Sequence, residues 1–213
     1  MPTEKFHVAE EAQTFAPGAF YWETFSREIM TDLSCAAWRD AGEVVFIDPV
    51  PLAKQPLAEV TGDAQAAAVL LTNANHERAA AWFRDALKAK VLAHRAAEPD
   101  LELKADGFFD DGALLPAGLR AIHLPGATAS ETAFYTPKHG GIVFVGDALV
   151  NLADSGFDFL PDKYSKDSEQ SRQSLRKLLA FEFQIMTFAH GHPIVRDAKT
   201  RLAGLLSGVE QSS

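Results

Sequence analysis

The 213-residue chain predicts an α/β or α+β sandwich, strands covered by helices in stacked layers. Three observations carry that expectation. Continuous apolar runs, such as residues 66–71, read as strands covered on both faces. Amphipathic stretches at helical spacing lie between them. No segment repeats at a fixed period. At 47% hydrophobic and 23% charged, the chain has material for a packed core, which excludes disorder.

The elements follow in order. Residues 20–25 are aromatic-rich and read as a strand. Residues 32–39 alternate, with Leu33, Cys35 and Ala37 on one face. Asp40-Ala-Gly-Glu43 is a turn signal, so this strand and residues 44–47 form a hairpin. Asp48-Pro49 ends it, because proline cannot continue a central strand. A short helix is expected over residues 52–60, a strand over 66–71 and a helix over 76–87, with Ala79, Trp82, Phe83, Ala86 and Leu87 at helical spacing. Residues 90–93 are a short strand. Strands follow at 118–124, 132–135 and 142–145. Residues 160–173 are polar and irregular, then merge into a helix ending near 181. Residues 184–188 form a last strand and 197–206 a closing helix.

Composition narrows the partners. Lys+Arg 20 against Asp+Glu 29 gives a net charge of −9. With no basic run, nucleic acid is not expected as a partner. No apolar stretch reaches the ~20 residues needed to span a membrane. The N-terminus, MPTEKFHVAEEAQ, lacks a basic flank followed by an apolar segment, so no secretory signal and a cytoplasmic location are expected. Cys35 is the single cysteine, which excludes an internal disulfide and an all-cysteine metal site. It alternates with Leu33 in a strand pattern and reads as a buried thiol. Phe20, Tyr21, Trp22 and Phe25 read as core or interface, and exposure of these aromatics would favour a homodimer.

Five apolar segments stop at polar residues. They end at Asp48, at Thr72 to Arg78, at Pro125-Gly126-Ala127-Thr128, at Gly146-Asp147, and at His190-Gly191-His192. Ligands collect where strand ends meet loops in helix-covered sheets. If these ends share one edge, they make a single polar cleft.

The blocks VVFIDPV, LLTNANHERAAAWF, LPGATASETAFYTPKHGGIVFVGDAL and FAHGHPI resemble, in order and spacing, the metallo-β-lactamase superfamily. The resemblance implies a four-layer αββα sandwich forming one domain over residues 1–213. It also implies one or two metal ions, usually zinc, held by a His-x-His-x-Asp-His loop, a His after Pro-Gly, the Asp of Gly-Asp and a last His. This sequence keeps only Asp147 and His190 of that pattern. The loop positions hold Asn73, Asn75, Glu77 and Arg78, and the position after Pro-Gly holds Ala127.

The residues leave several readings. Asn75 reads as an N-cap rather than a ligand, and Asn73 as a turn residue or a ligand-binding amide. His76 is either a displaced ligand or an exposed or capping histidine, since neighbours at a helix start point in different directions. His192 reads as a loop histidine. The resemblance implies that Glu77, Asp147 and Asp48 lie near one another, and Arg78 is expected to neutralise them through an ion pair with Asp147, with Glu77 as a second partner. The other role for Arg78 is to meet a substrate anion. Ser130 and Glu131 lack the Gly-x-Ser-x-Gly context of a serine hydrolase.

Three functions remain. The first is a metal-free member of the superfamily that binds a small molecule or partner in the cleft formed by Asp48, Asn73, Asn75, His76, Glu77, Arg78, Asp147 and His190. No cofactor is expected in that case. The second is a hydrolase with a reduced single-metal site, zinc or iron, built from Glu77, Asp147 and His190 with help from His76 or His192. The third is a metal-independent enzyme pairing His190 with Asp147 or Glu77.

Overall fold

A computed structural model describes residues 7–210. The first six residues, part of the N-terminal stretch read for a secretory signal, lie outside the described residues. Seven strands form the first sheet in sequence order: β1 (Gln13–Ala16), β2 (Ala19–Ser26), β3 (Thr31–Asp40), β4 (Glu43–Ile47), β5 (Gln65–Leu70), β6 (Lys90–His94) and β7 (Gly107–Phe109). β1 to β4 are antiparallel neighbours, and β4 to β7 run parallel. The second sheet is built from β8 (Arg120–His123), β9 (Thr132–Thr136), β10 (Ile142–Phe144) and β13 (Ile185–Thr187), in the order β13-β10-β9-β8. Between them in sequence, β11 (Leu149–Leu152) and β12 (Gly156–Phe159) form a separate hairpin.

The alternation of side chains along β4 shows why its apolar run is continuous. Val44 and Phe46 enter one core with Trp22, Val69 and Phe83, whereas Val45 and Ile47 enter another with Trp38, Leu70, Phe134 and Phe144. The first core lies under α1 (Lys54–Thr61) and α2 (Ala80–Leu87), and the second fills the space between the sheets. A third, with Val143, Leu175, Phe183, Met186 and Leu202, lies beneath α3 (Ser168–Leu175) and α4 (Ala198–Glu210). This is the four-layer αββα order. Cys35 is buried as expected, and burial pushes its thiol up. Phe20, Tyr21 and Trp22 are buried, while Phe25 is exposed.

Strand direction brings the chemistry to one edge. β4 and β5 are parallel, so Asp48 and Thr72 emerge together. β10 and β13 are also parallel, which sets Asp147 beside the loop carrying His190. No helix among the described residues is long and apolar enough to cross a membrane.

Two elements depart from the expected boundaries for a local reason. The helix expected over 76–87 begins at Ala80, because Arg78 takes φ 37° and breaks the chain away from a short 3-10 turn at Ala74–His76. That left-handed region is unusual for a residue with a side chain. The helix expected to run to about 181 ends at Leu175 and continues as a 3-10 turn over Arg176–Ala180.

Candidate metal centre

The 3-10 turn decides where its side chains point. Asn73 caps it, its Oδ1 accepting from the Asn75 N–H at 2.9 Å. The cap is therefore Asn73 and not Asn75, which is exposed. His76 turns inward, 4% exposed, and is neither a surface nor a capping residue.

Two imidazoles and a carboxylate meet at the cleft. His76 Nε2 lies 3.2 Å from Asp147 Oδ2, and His190 Nε2 lies 3.3 Å from Asp147 Oδ1. One donor atom from each of the three residues falls within 4.8 Å of the others. Each ring is fixed from behind by an acceptor. His76 Nδ1 is 2.9 Å from Asp48 Oδ2, and His190 Nδ1 is 2.8 Å from the Asp32 carbonyl. A carbonyl and a carboxylate only accept, so both Nδ1 atoms carry a hydrogen, and both Nε2 atoms face Asp147. A carboxylate or carbonyl behind a metal-binding histidine commonly fixes its tautomer this way.

Asp48 is itself held. Its Oδ1 accepts the Thr72 N–H at 2.8 Å, and its Oδ2 accepts the Thr72 hydroxyl. Asn73 Nδ2 donates to Asp147 Oδ2 at 3.2 Å and to Glu131 Oε2 at 2.9 Å. Asp147 Oδ1, by contrast, is buried and has no hydrogen-bond partner among the described residues.

These contacts set the electrostatics. Burial pushes His76 down, but Asp147 and Asp48 outweigh it and raise the ring to about 9 in the absence of metal, with Arg78 opposing. Burial raises Asp147, and the two histidines pull it back to well below the usual carboxylate range. Glu131 is fully buried, and desolvation with the charge on Asp147 pushes it up to about 8. Sequence reasoning passed over Glu131 as a site residue. Its one signal was an acid placed directly before an apolar strand.

The donor set fits a divalent cation. Two imidazole nitrogens and a carboxylate are the donor types a zinc ion takes, and one donor atom from each lies within 4.8 Å of the others. The orphaned Oδ1 supplies the unmatched negative end.

Two expected contacts are corrected. Arg78 makes no ion pair with Asp147. Its Nη1 donates to the carbonyls of Ser34 (2.7 Å) and Asp48 (3.0 Å), and its Nη2 to that of Ala189 (3.2 Å). The left-handed backbone at Arg78 swings the guanidinium behind the site, where three chain segments present carbonyl oxygens. Glu77 does not join the triad, because its carboxylate accepts the N–H groups of Glu102 and Leu103 at 2.6 to 3.0 Å. His76 occupies the place the sequence offered to Glu77. Asp48, Asn73, His76, Asp147 and His190 converge, and Asn75, Glu77 and Arg78 line the cleft.

The loop carrying His190 is anchored from β3. Ser34 Oγ accepts the Gly191 N–H at 3.0 Å, and Tyr21 Oη lies 3.3 Å from His192 Nδ1. Burial and the adjacent Glu23 push the Tyr21 phenol up. His192 therefore sits behind the loop rather than in the triad.

The family model of the metallo-beta-lactamase superfamily matches residues 13–209, and the chain belongs to that superfamily. No curated relative matches the sequence. The DIM-1 metallo-beta-lactamase superposes with a TM-score of 0.75 at 17% identity, covering 96% of this chain and 100% of that one. A metallo-beta-lactamase from Erythrobacter litoralis, with beta-mercaptoethanol in the active site, gives 0.72 at 17% identity, covering 98% and 99%. TTHA1623 in a di-iron-bound form gives 0.58 at 24% identity, covering 76% and 88%. At these identities the likeness is one of fold.

Proposed function

We propose that this protein is a single-metal hydrolase of the superfamily, acting as one domain, in which His76, Asp147 and His190 hold one zinc or ferrous ion. One observation carries the reading. Two Nε2 atoms converge on Asp147, one of whose buried oxygens has no hydrogen-bond partner among the described residues, and this supports a cation at their junction. Two histidines and one carboxylate suit either zinc or ferrous iron, and three protein ligands leave a position open, as in catalytic rather than structural sites. A divalent ion there supplies Lewis acidity and acidifies a water toward neutral pH. The chain's own residues do the rest. Asp48 and the Asp32 carbonyl hold both rings in the tautomer that offers Nε2. Asn73 fixes Asp147 through Oδ2, and Arg78 ties β3, the Asp48 turn and the His190 loop together.

A second reading rests on the raised His76. A proton on His76, between Asp48 and Asp147, also neutralises the site. The protein is then a metal-free binder of a small molecule in the same cleft.

Calorimetric titration of chelator-stripped protein with Zn²⁺ and with Fe²⁺ under anaerobic conditions separates the two. The metal reading expects one equivalent, lost in His76→Ala and His190→Ala and retained in Glu77→Gln. No uptake by the folded wild type overturns it in favour of the metal-free binder.

A further inference from the structure

The walls of the cleft identify a class of substrate. Two hollows of about 490 Å³ each meet at the triad, sharing Ile29, Asn75, Asp147 and His190. Both lie within the size range of small-molecule sites. The first is apolar, formed by Ile29 and Met30 at the β2–β3 turn, Val150 and Leu152 on β11, and Leu160 and Tyr164 beyond β12. Six large hydrophobic side chains of the described residues are markedly exposed, and three of them, Ile29, Met30 and Tyr164, ring this hollow. Apolar surface gathered at one opening marks a binding site rather than scattered exposure. The second hollow is polar, with Ser26, Glu28, Glu77, Glu102 and Arg78.

The charges lining the cleft exclude one kind of ligand. Among the described residues no lysine lines either hollow, and Arg78 is the only arginine. Its terminal nitrogens are spent on three backbone carbonyls. Lys163, beside Tyr164, stands over that ring, 4.6 Å from its centroid, and is not a lining residue. Three glutamates line the polar hollow, in a chain of net charge −9. Away from the triad, a carboxylate or phosphate on the ligand would thus meet three glutamates against a single arginine turned to backbone carbonyls.

We propose that the site takes an uncharged or cationic molecule with an apolar arm, the arm lying between the β2–β3 turn and β11, and that it discriminates against anionic analogues. The inference rests on the proposed metal centre, which would place the reacting group where the hollows join.

The test uses full-length protein loaded with zinc and three hydroxamates, which anchor to metal through a common head. Acetohydroxamate has no arm, octanohydroxamate has an apolar arm, and suberic monohydroxamate has an arm of the same length ending in a carboxylate. Octanohydroxamate should bind at least ten-fold tighter than acetohydroxamate, and suberic monohydroxamate at least ten-fold weaker than octanohydroxamate. Leu152→Ser should shrink the first ratio and Met30→Lys the second. Equal affinities for any of these pairs in the wild type overturn the inference. If the loaded protein binds none of the three hydroxamates, the inference is overturned while the metal reading stands; if the protein takes up no zinc, the metal reading fails. The arm is then tested on metal-free protein with octanamide against octanoate. A rise in melting temperature with octanamide alone supports the inference, and any other result overturns it.

Discussion

Replacing Arg78 should loosen three segments at once. Its guanidinium bonds the carbonyls of Ser34, Asp48 and Ala189, which lie on β3, after β4 and before His190. A hydrogen bond with one charged partner contributes about 1.5–3 kcal/mol, and three on one group are not additive. Arg78→Met should therefore cost roughly 3–5 kcal/mol. At about 2–4 °C per kcal/mol for a protein of this size, the melting temperature should fall by roughly 6–20 °C. Arg78→Lys should recover only part, since an ammonium is a compact point charge without the planar fork. Arg78→Gly relieves the left-handed backbone while removing the same bonds, so its loss should fall below that of Arg78→Ala by about 1 kcal/mol. Urea denaturation of the metal-free proteins measures all four. A loss under about 1 kcal/mol for Arg78→Met would refute the three-carbonyl clamp.

Three further outcomes follow from the geometry. In Gly146→Ala the new Cβ collides with Glu131 Oε1 and Thr72 Oγ1, so stability should fall by about 1–3 kcal/mol and metal affinity with it, as calorimetry and denaturation would show. His94 stacks on His123 with ring centroids 3.9 Å apart, and burial, then the charge of His123, lower it to about 4. The stability this pair allows should be complete above pH 6.5 and lost as pH falls toward 4, a limb that His94→Gln should flatten in pH-dependent denaturation. In metal-free protein the raised His76 contributes stability that is full below pH 6.5 and lost as pH rises through about 9. Zinc should compete with that proton, so uptake at pH 7 should release about one proton per ion, measured by calorimetry in buffers of different ionisation enthalpy.

Most of the fold was legible because its physics is local. The continuous runs of β4 and β5 announce strands between two cores, and Asp40-Ala-Gly-Glu43 announces the β3–β4 turn. The β11–β12 hairpin was missed, although Leu149 to Leu152 is followed by the turn-forming run Asp154-Ser-Gly156. At the site, Asp147 and His190 were visible from their strand ends. His76 was offered only as a displaced or helping ligand, because reading residues 76–87 as one helix assumes a regular first turn, and the left-handed Arg78 breaks it. Nor was the role of Arg78 visible. Counting charges pairs an arginine with carboxylates, whereas the backbone carbonyls that bond it carry no mark in the sequence.

The two oxygens of Asp147 bear on the choice between the proposed metal centre and the metal-free binder. Oδ2 has the Asn73 amide at 3.2 Å and His76 Nε2 at 3.2 Å. At a position where the superfamily resemblance implies an imidazole, Asn73 now supplies a donor that holds the carboxylate still. Oδ1 receives no such donor and faces only His190 Nε2. With the His190 Nδ1 hydrogen committed to the Asp32 carbonyl, that nitrogen is itself an acceptor. Two acceptors at 3.3 Å are unfavourable unless a positive species joins them. Protonating His76 satisfies the Oδ2 side and leaves this pair as it was. Under the proposed metal reading, one divalent ion would answer both needs, and the unmatched oxygen is the observation that favours it over the metal-free binder.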